Sequence, residues 1–345
     1  VIALLGAVLM LVFHILTQEE ALGFIDFNTV GLLIGMMIIV NILKRTGIFQ
    51  YVAIKTAQLS KGSPWRIMIY FAVITAISSA LLDNVTTILL IAPVTFVITE
   101  TLGLNAIPFL LTEVFSANIG GLATSIGDPT IIMISGATGL SFTDVLFNLG
   151  PVVLVIFATV LFILKFVFRK HFVISDENKA KIAEFDVSKT ITNPTLLKKS
   201  GIILLLTIAG FATHHALGIE SATIALFGAG VLLLISRIDV EEVLLEVEWP
   251  TIFFFMGLFV MVGALEKVGV LEVLASGLIE LTGGNLMITA LLILWVAAIA
   301  SAFLDNIPFV ATMIPLIINI GTMTGMNIAP LWWALALGAC LGGNG

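Results

Sequence analysis

From Met287 to Met323 the chain runs for 37 residues with a single charged side chain, Asp305. Residues 65–101 are much the same, with only Arg66, Asp83 and Glu100 charged. Such stretches belong in a bilayer, where lipid offers no partner for backbone N–H and C=O groups and a helix satisfies them internally. Of 345 residues, 59% are hydrophobic and 11% charged, and the mean hydropathy is +1.18. Soluble domains carry roughly 25% charged residues. The fold class that follows is an all-α polytopic membrane protein.

About 20 apolar residues cross a bilayer as a helix. Candidate spans are 1–16, 28–43, 151–168, 201–217, 222–236 and 250–265. Segments 65–101 and 287–323 are longer and carry an Asp-Asn pair near the middle, whereas 106–140 is interrupted by NIGGLATSIGDP. Segment 46–60 is short and polar-spotted, and reads as lying along the interface. Residues 1–16 lack the basic region and small-residue cleavage site of a signal peptide. The ends, VIALLGAV and GACLGGNG, read as those of a fragment of a longer protein.

Several classes are excluded. One cysteine, Cys340, makes no disulfide framework or cysteine metal site. His14, His171, His214 and His215 form no spaced metal motif, and His214-His215 reads as an interfacial pair at a span end. His-Glu-x-x-His is absent and no His sits mid-span, which argues against an intramembrane protease and against any enzyme. The bases sit in short loops, so nucleic acid is not a partner.

Sliding the sequence over itself by 222 residues aligns 1–123 with 223–345 without a gap, and 32 of the 123 positions are identical. Leu and Ala would match by chance. Gly35 with Gly257, Pro93 with Pro315, and SALLDN (79–84) with SAFLDN (301–306) would not. The chain is thus two repeats: 1–168 with hairpin 65–101 and broken helix 106–140, and 223–345 with hairpin 287–323 and a second broken helix truncated at 345. Residues 169–199 form a loop and 200–222 a connecting transmembrane helix. Five crossings separate residue 1 from residue 223, an odd number, so the repeats have inverted topology. Inverted repeats with broken helices are typical of secondary transporters.

Charge agrees with this topology. Loops 44–66 and 169–199 hold twelve of the fifteen basic residues, while loop 17–27, opposite, has three acids and no base. The positive-inside rule makes the basic side cytoplasmic, and the expected location is the cytoplasmic (inner) membrane.

Asp83-Asn84 and Asp305-Asn306 are either surface turns or the tips of two re-entrant hairpins. Their flanks, ISSAL and VTTILLIAP, have no Lys, Arg, Trp or Tyr to anchor a surface turn. An ionisable residue at depth is costly and a functional candidate, so the tips point to a central ion site with Thr86 and Thr87 as further oxygen ligands. In SANIGGLATSIGDP (116–129), Gly120, Gly121 and Gly127 permit an unwound backbone, and Asn118, Thr124, Ser125 and Asp128 add side-chain oxygens. A packing hinge is the alternative. Oxygen donors suit Na⁺ or proton-carrying groups rather than soft metals. The second repeat offers Gly342, Gly343 and Asn344 there. Glu113 is either a buried titratable group, with a possible role in proton coupling beside Asp83 and Asp305, or the partner of a cytoplasmic base. Its repeat counterpart is Leu335.

SALLDNVTTILLIAPV, TEVFSANIGGLATSIGDPTIIMI and SAFLDNIPFVATMIPLI resemble the ion transporter superfamily, with the ArsB/NhaD-type permeases, the branch with the P protein and a citrate-transporter-like domain, as the nearest relatives. The resemblance covers essentially the whole chain. It implies two inverted repeats, each with a re-entrant hairpin and a broken helix, and a homodimer in which 1–60 and 201–285 are mainly scaffold. The distantly related divalent anion/sodium symporters carry Ser-Asn-Thr at the tips, where this chain has Asp-Asn followed by Val85 or Ile307. GDPTI (127–131) likewise departs from Gly-Asp-Pro-Pro-Asn. Two added carboxylates would repel a dicarboxylate. The expected function is therefore secondary active cation/proton (Na⁺/H⁺) exchange by alternating access, with Na⁺ or H⁺ as coupling ion and no other cofactor. The alternative is an anion permease for arsenite, antimonite or a carboxylate; a channel is a more distant third.

Overall fold

Helices account for all the regular structure of this computed structural model, which describes residues 1–61, 63–169 and 190–344. The first half comprises α1 (Ile2–Val12), α2 (Gln18–Phe24), α3 (Phe27–Lys44), α4 (Ile48–Leu59), α5 (Pro64–Leu81), α6 (Asn84–Leu102) and α7 (Ile107–Gly121). Then follow α8 (Pro129–Thr138), α9 (Phe142–Phe168) and α10 (Pro194–Leu217). The second half holds α11 (Ser221–Ser236), α12 (Val240–Leu245), α13 (Trp249–Lys267), α14 (Val270–Thr282), α15 (Leu286–Phe303), α16 (Asn306–Thr324) and α17 (Ala329–Gly342). Most of the loop read at 169–199, residues 170–189, lies outside the described residues.

Local chemistry sets the helix starts. Asp26 accepts from the Asn28 and Thr29 amides to begin α3, and Thr17 and Ser141 form capping boxes with Glu20 and Asp144. Proline stands in the first turn of α5, α7, α8, α13 and α17, where its missing N–H costs nothing. Among the described residues, eight helices are long and apolar enough to cross a membrane: α3, α5, α6, α9, α10, α13, α15 and α16. The spans read at 1–16 and 222–236 are shorter than a full crossing. Helix α1 has only 11 residues, because the chain turns at Phe13 and at His14, whose φ is 57°. Segment 46–60 forms α4, whose Ala53 and Ala57 pack with Ile67, Met68 and Phe71 of α5.

The duplication read from the sequence recurs in the helix boundaries. Adding 222 to the bounds of α5 and α6 gives the bounds of α15 and α16 to the residue. It recurs again in contacts. The Ser79 hydroxyl donates to the Ala117 carbonyl at 2.7 Å, and Ser301 to Ala339 at 2.6 Å. A Cβ on Gly120 would sit 2.2 Å from the Ala76 carbonyl oxygen, and one on Gly342 would sit 2.3 Å from that of Ala298. Glycine at these two positions lets α7 lie against α5, and α17 against α15, backbone to backbone.

Between the halves the contacts are reciprocal. Gly35 of α3 meets Ala225 of α11, and Gly257 of α13 meets Ala3 of α1. Arg45 pairs with Glu242 at 2.9 Å, and Lys267 with Glu20 at 2.6 Å. Each contact maps onto the other when 222 is added to one partner and subtracted from the other. Exchange of partners in this manner is what a two-fold relation produces. Outside this frame, α9 leaves Phe147, Leu154, Val155 and Phe162 exposed, an apolar face suited to lipid.

Candidate functional site

Two interruptions of helical backbone meet in the first half. At the first, Leu82 and Asp83 are extended, and the Asp83 carboxylate accepts from the Thr86 amide at 2.8 Å to start α6. At the second, α7 ends at Gly121 and α8 restarts at Asp128, whose Oδ1 accepts from the Thr130 amide at 2.8 Å and the Thr130 hydroxyl at 2.5 Å. The Thr124 hydroxyl donates to the Ala80 carbonyl at 2.5 Å, which fastens the break to the end of α5. Gly127 lies against the Ser79 carbonyl and Gly121, with no room for a side chain.

Asn84 ties these parts together. Its Nδ2 donates to Asn118 Oδ1 at 3.0 Å and to Asp128 Oδ2 at 3.2 Å. Asn118 Nδ2 in turn donates to Asn344 Oδ1 at 2.8 Å, and Thr130 Oγ1 lies 2.9 Å from Cys340 Sγ. A hairpin tip, a helix break and the end of α17 thus share one polar network, across sequence separations of 210 and 226 residues. No Lys, Arg or His occurs in 79–90, 116–131, 301–312 or 338–344. Within these segments the centre therefore offers carboxylate and amide oxygens and no basic side chain.

The second tip is built alike but surrounded differently. Asp305 Oδ1 accepts from the Ile307 amide at 3.0 Å. Leu304 is 63% exposed where Leu82 is 3% exposed, and Phe303 is 86% exposed. Asn306 lies near Gly343, but no hydrogen bond joins Asp305 or Asn306 to the first tip among the described residues. Gly120 and Gly342 serve close packing here. Thr86 contributes its amide, while the buried Thr87 hydroxyl has no partner among the described residues. Ser125 lines a cavity of about 290 Å³ shared with Asn28, Thr29, Ser135, Glu220 and Ser221. Glu113 is apart from the tips: its Oε1 accepts from the Thr95 hydroxyl at 2.5 Å. No base pairs with it among the described residues.

Sequence reasoning passed over Cys340 and Thr130 as members of the network. The repeat held the signal for the first, since Cys340 stands 222 residues after Asn118. Thr130 had no signal beyond following Asp128-Pro129.

The described residues form an all-helical, polytopic membrane protein, and the family it belongs to is one of membrane transporters. A family model described as citrate transporter matches residues 1–338, and the chain belongs to that family. An uncharacterized transporter of Mycobacterium tuberculosis strain H37Rv is 44% identical over 349 residues, covering 99% of this chain and 81% of the relative. A 46 kDa membrane protein of Mycobacterium leprae is 43% identical over 348 residues, with the same coverage of 99% and 81%. The human P protein is 34% identical over 400 residues, covering 93% of this chain and 48% of that protein.

Proposed function

We propose that this protein is a secondary active ion transporter that exchanges a monovalent cation, Na⁺ or Li⁺, for protons by alternating access. The observation that carries the reading is the Asn84–Asn118–Asn344 and Asn84–Asp128 network, which joins discontinuous helices of both halves in a base-free, carboxylate-bearing centre. Helix N-termini attract anions, but Asp83 and Asp128 already cap α6 and α8, so the oxygens left over favour a cation. Asp305 of the second tip completes the set when the two tips approach during the cycle.

The same reading takes the repeats as inverted and the hairpins as re-entrant. Reciprocal contacts between the halves support the first. For the second, α5 runs parallel to α7, with Ala76 against Gly120 and Ala80 against Thr124. The tip at 82–83 then comes level with the helix break, and α6 turns back while α8 continues. Residues 44–66 face the cytoplasm, the cavity at Ser125 serves access from the opposite side, and a second copy of the chain packs on scaffold helices.

Arsenite or carboxylate permeation is the second reading, favoured by the family's description as citrate transporter. An anion at the N-termini of α6 and α8 would have to displace Asp83 or Asp128. The test is reconstitution of the full-length protein in liposomes, with internal pH followed after a Na⁺ or Li⁺ pulse. A pH change that vanishes in Asp83→Asn and in Asp305→Asn is expected. Full coupling in both variants would end the exchange reading. No response in the wild type would move it to the permease, to be tried with arsenite and dicarboxylates.

A further inference from the structure

Glu113 has no role in the network at the tips, yet it is 1% exposed in the middle of the α5–α6–α7 packing. Its Oε1 takes the Thr95 hydroxyl, and its Oε2 is buried with no partner among the described residues. The neighbouring cluster is apolar, with Ile67, Met68, Phe71, Val94, Ile98 and Phe109. Charged groups on the elements packed against α7 are Arg66 on α5, Asp83 and Glu100 on α6, and Asp144 and Lys165 on α9. None of them makes a hydrogen bond or ion pair with Glu113. Lys165 stands over the Trp65 ring, and Asp144 caps its own helix.

The second half shows what the fold alone requires at this place. The positions 222 residues on are Leu335 for Glu113 and Ile317 for Thr95, both fully buried. Pro93 of α6 has its counterpart in Pro315 of α16, so a proline inside the helix beside the pair is common to both halves. An apolar pair packs these helices in one half, and a carboxyl with a hydroxyl donor replaces it in the other. Packing therefore does not account for Glu113. On α7 it precedes Asn118 by five residues, about 7.5 Å along the axis, on the helix that holds the tip.

We propose that Glu113, served by the Thr95 hydroxyl, is a proton-binding site distinct from the cation site at the tips, and that it takes up and releases one proton per cycle. The unpartnered oxygen is where that proton is gained and lost, with no bond made or broken besides O–H. The coupling part of this inference rests on the exchange reading above; the proton-binding part does not.

Infrared difference spectroscopy on the purified full-length protein, titrated with acid and base, reads the carboxylic acid C=O band directly. A titrating band that Glu113→Gln removes is expected, and a band unchanged in that variant overturns the proposal. In liposomes, Glu113→Gln and the double variant Glu113→Leu/Thr95→Ile should lose Na⁺-driven proton flux relative to isotopic Na⁺ self-exchange. The double variant carries the second half's own residues, which guards against loss of folding. Undiminished proton flux in it overturns the coupling role. Should the wild type move no protons on a Na⁺ or Li⁺ pulse, the exchange reading falls, and the infrared band alone decides whether Glu113 binds a proton.

Discussion

The two Asp-Asn tips share a sequence, an extended bend and an aspartate cap, but their surroundings differ. The first is covered by Thr124, Gly127 and Asp128 of the helix break and has its asparagine bonded to Asn118 and Asp128. The second exposes Phe303 and Leu304, and among the described residues its Asp305 makes only the capping bond. The contrast extends along the helices. Thr75, Thr87, Thr95, Glu113 and Asn118 of the first half correspond to Ala297, Phe309, Ile317, Leu335 and Cys340 in the second. What both halves keep is backbone packing, through Ser79 and Ser301 and through Gly120 and Gly342. The two halves thus share a backbone frame and differ in their polar groups, and the proposed ion and proton sites lie where they differ.

The sharpest way to test that division is Asp128→Ala. It removes the acceptor for the Thr130 amide, the Thr130 hydroxyl and Asn84. Each donor left buried and unpaired costs about 1–3 kcal/mol. Loss of ion flux and a large fall in the detergent unfolding temperature are expected, whereas Asp305→Asn should abolish flux with little change in stability. Equal destabilisation by both would erase the distinction between the tips.

Next in size are Gly120→Ala and Gly342→Ala. Both force a methyl into a backbone carbonyl, at about 1–3 kcal/mol or more each. Thermal unfolding should show similar penalties, since the two sites are architectural, and a penalty confined to one half would count against their equivalence. Glu113→Leu/Thr95→Ile has the opposite sign. Replacing a half-satisfied buried polar pair by the apolar pair of the other half should stabilise by about 1–3 kcal/mol. A lower unfolding temperature would mean that Glu113 is structural.

The smallest effects belong to the ion pairs that clasp the halves. Arg45→Met removes partly exposed pairs with Glu242 and Glu246 and should cost about 0.2–1 kcal/mol, less at high salt. Its counterpart is read through pH. Glu20 is held down to about 2 from 4.5, chiefly by its hydrogen bond to Lys267 and then by the Thr17 amide. A depressed carboxylate contributes stability above its unfolded value and loses it as pH falls through the folded one. Wild-type unfolding temperature should therefore drop slightly more than that of Glu20→Gln between pH 4.5 and 2. Identical acid profiles would show that the pair adds nothing.

Much of this was legible in the residues. Apolar runs could become only membrane helices, the 222-residue offset gave the duplication, and the bends at Asp83 and Asp305 and the break before Asp128 followed from capping residues and glycines. These are local consequences of hydropathy and backbone conformation, which a sequence carries in itself. Sequence spacing says nothing of which polar atoms meet, because hydrogen bonds reach only about 3 Å while their partners here lie as much as 226 residues apart. That Asn84 binds Asn118 and Asp128, that Asn344 and Cys340 join them, that one tip is covered and the other open, and that Glu113 meets Thr95 rather than a base were decided by how the helices pack.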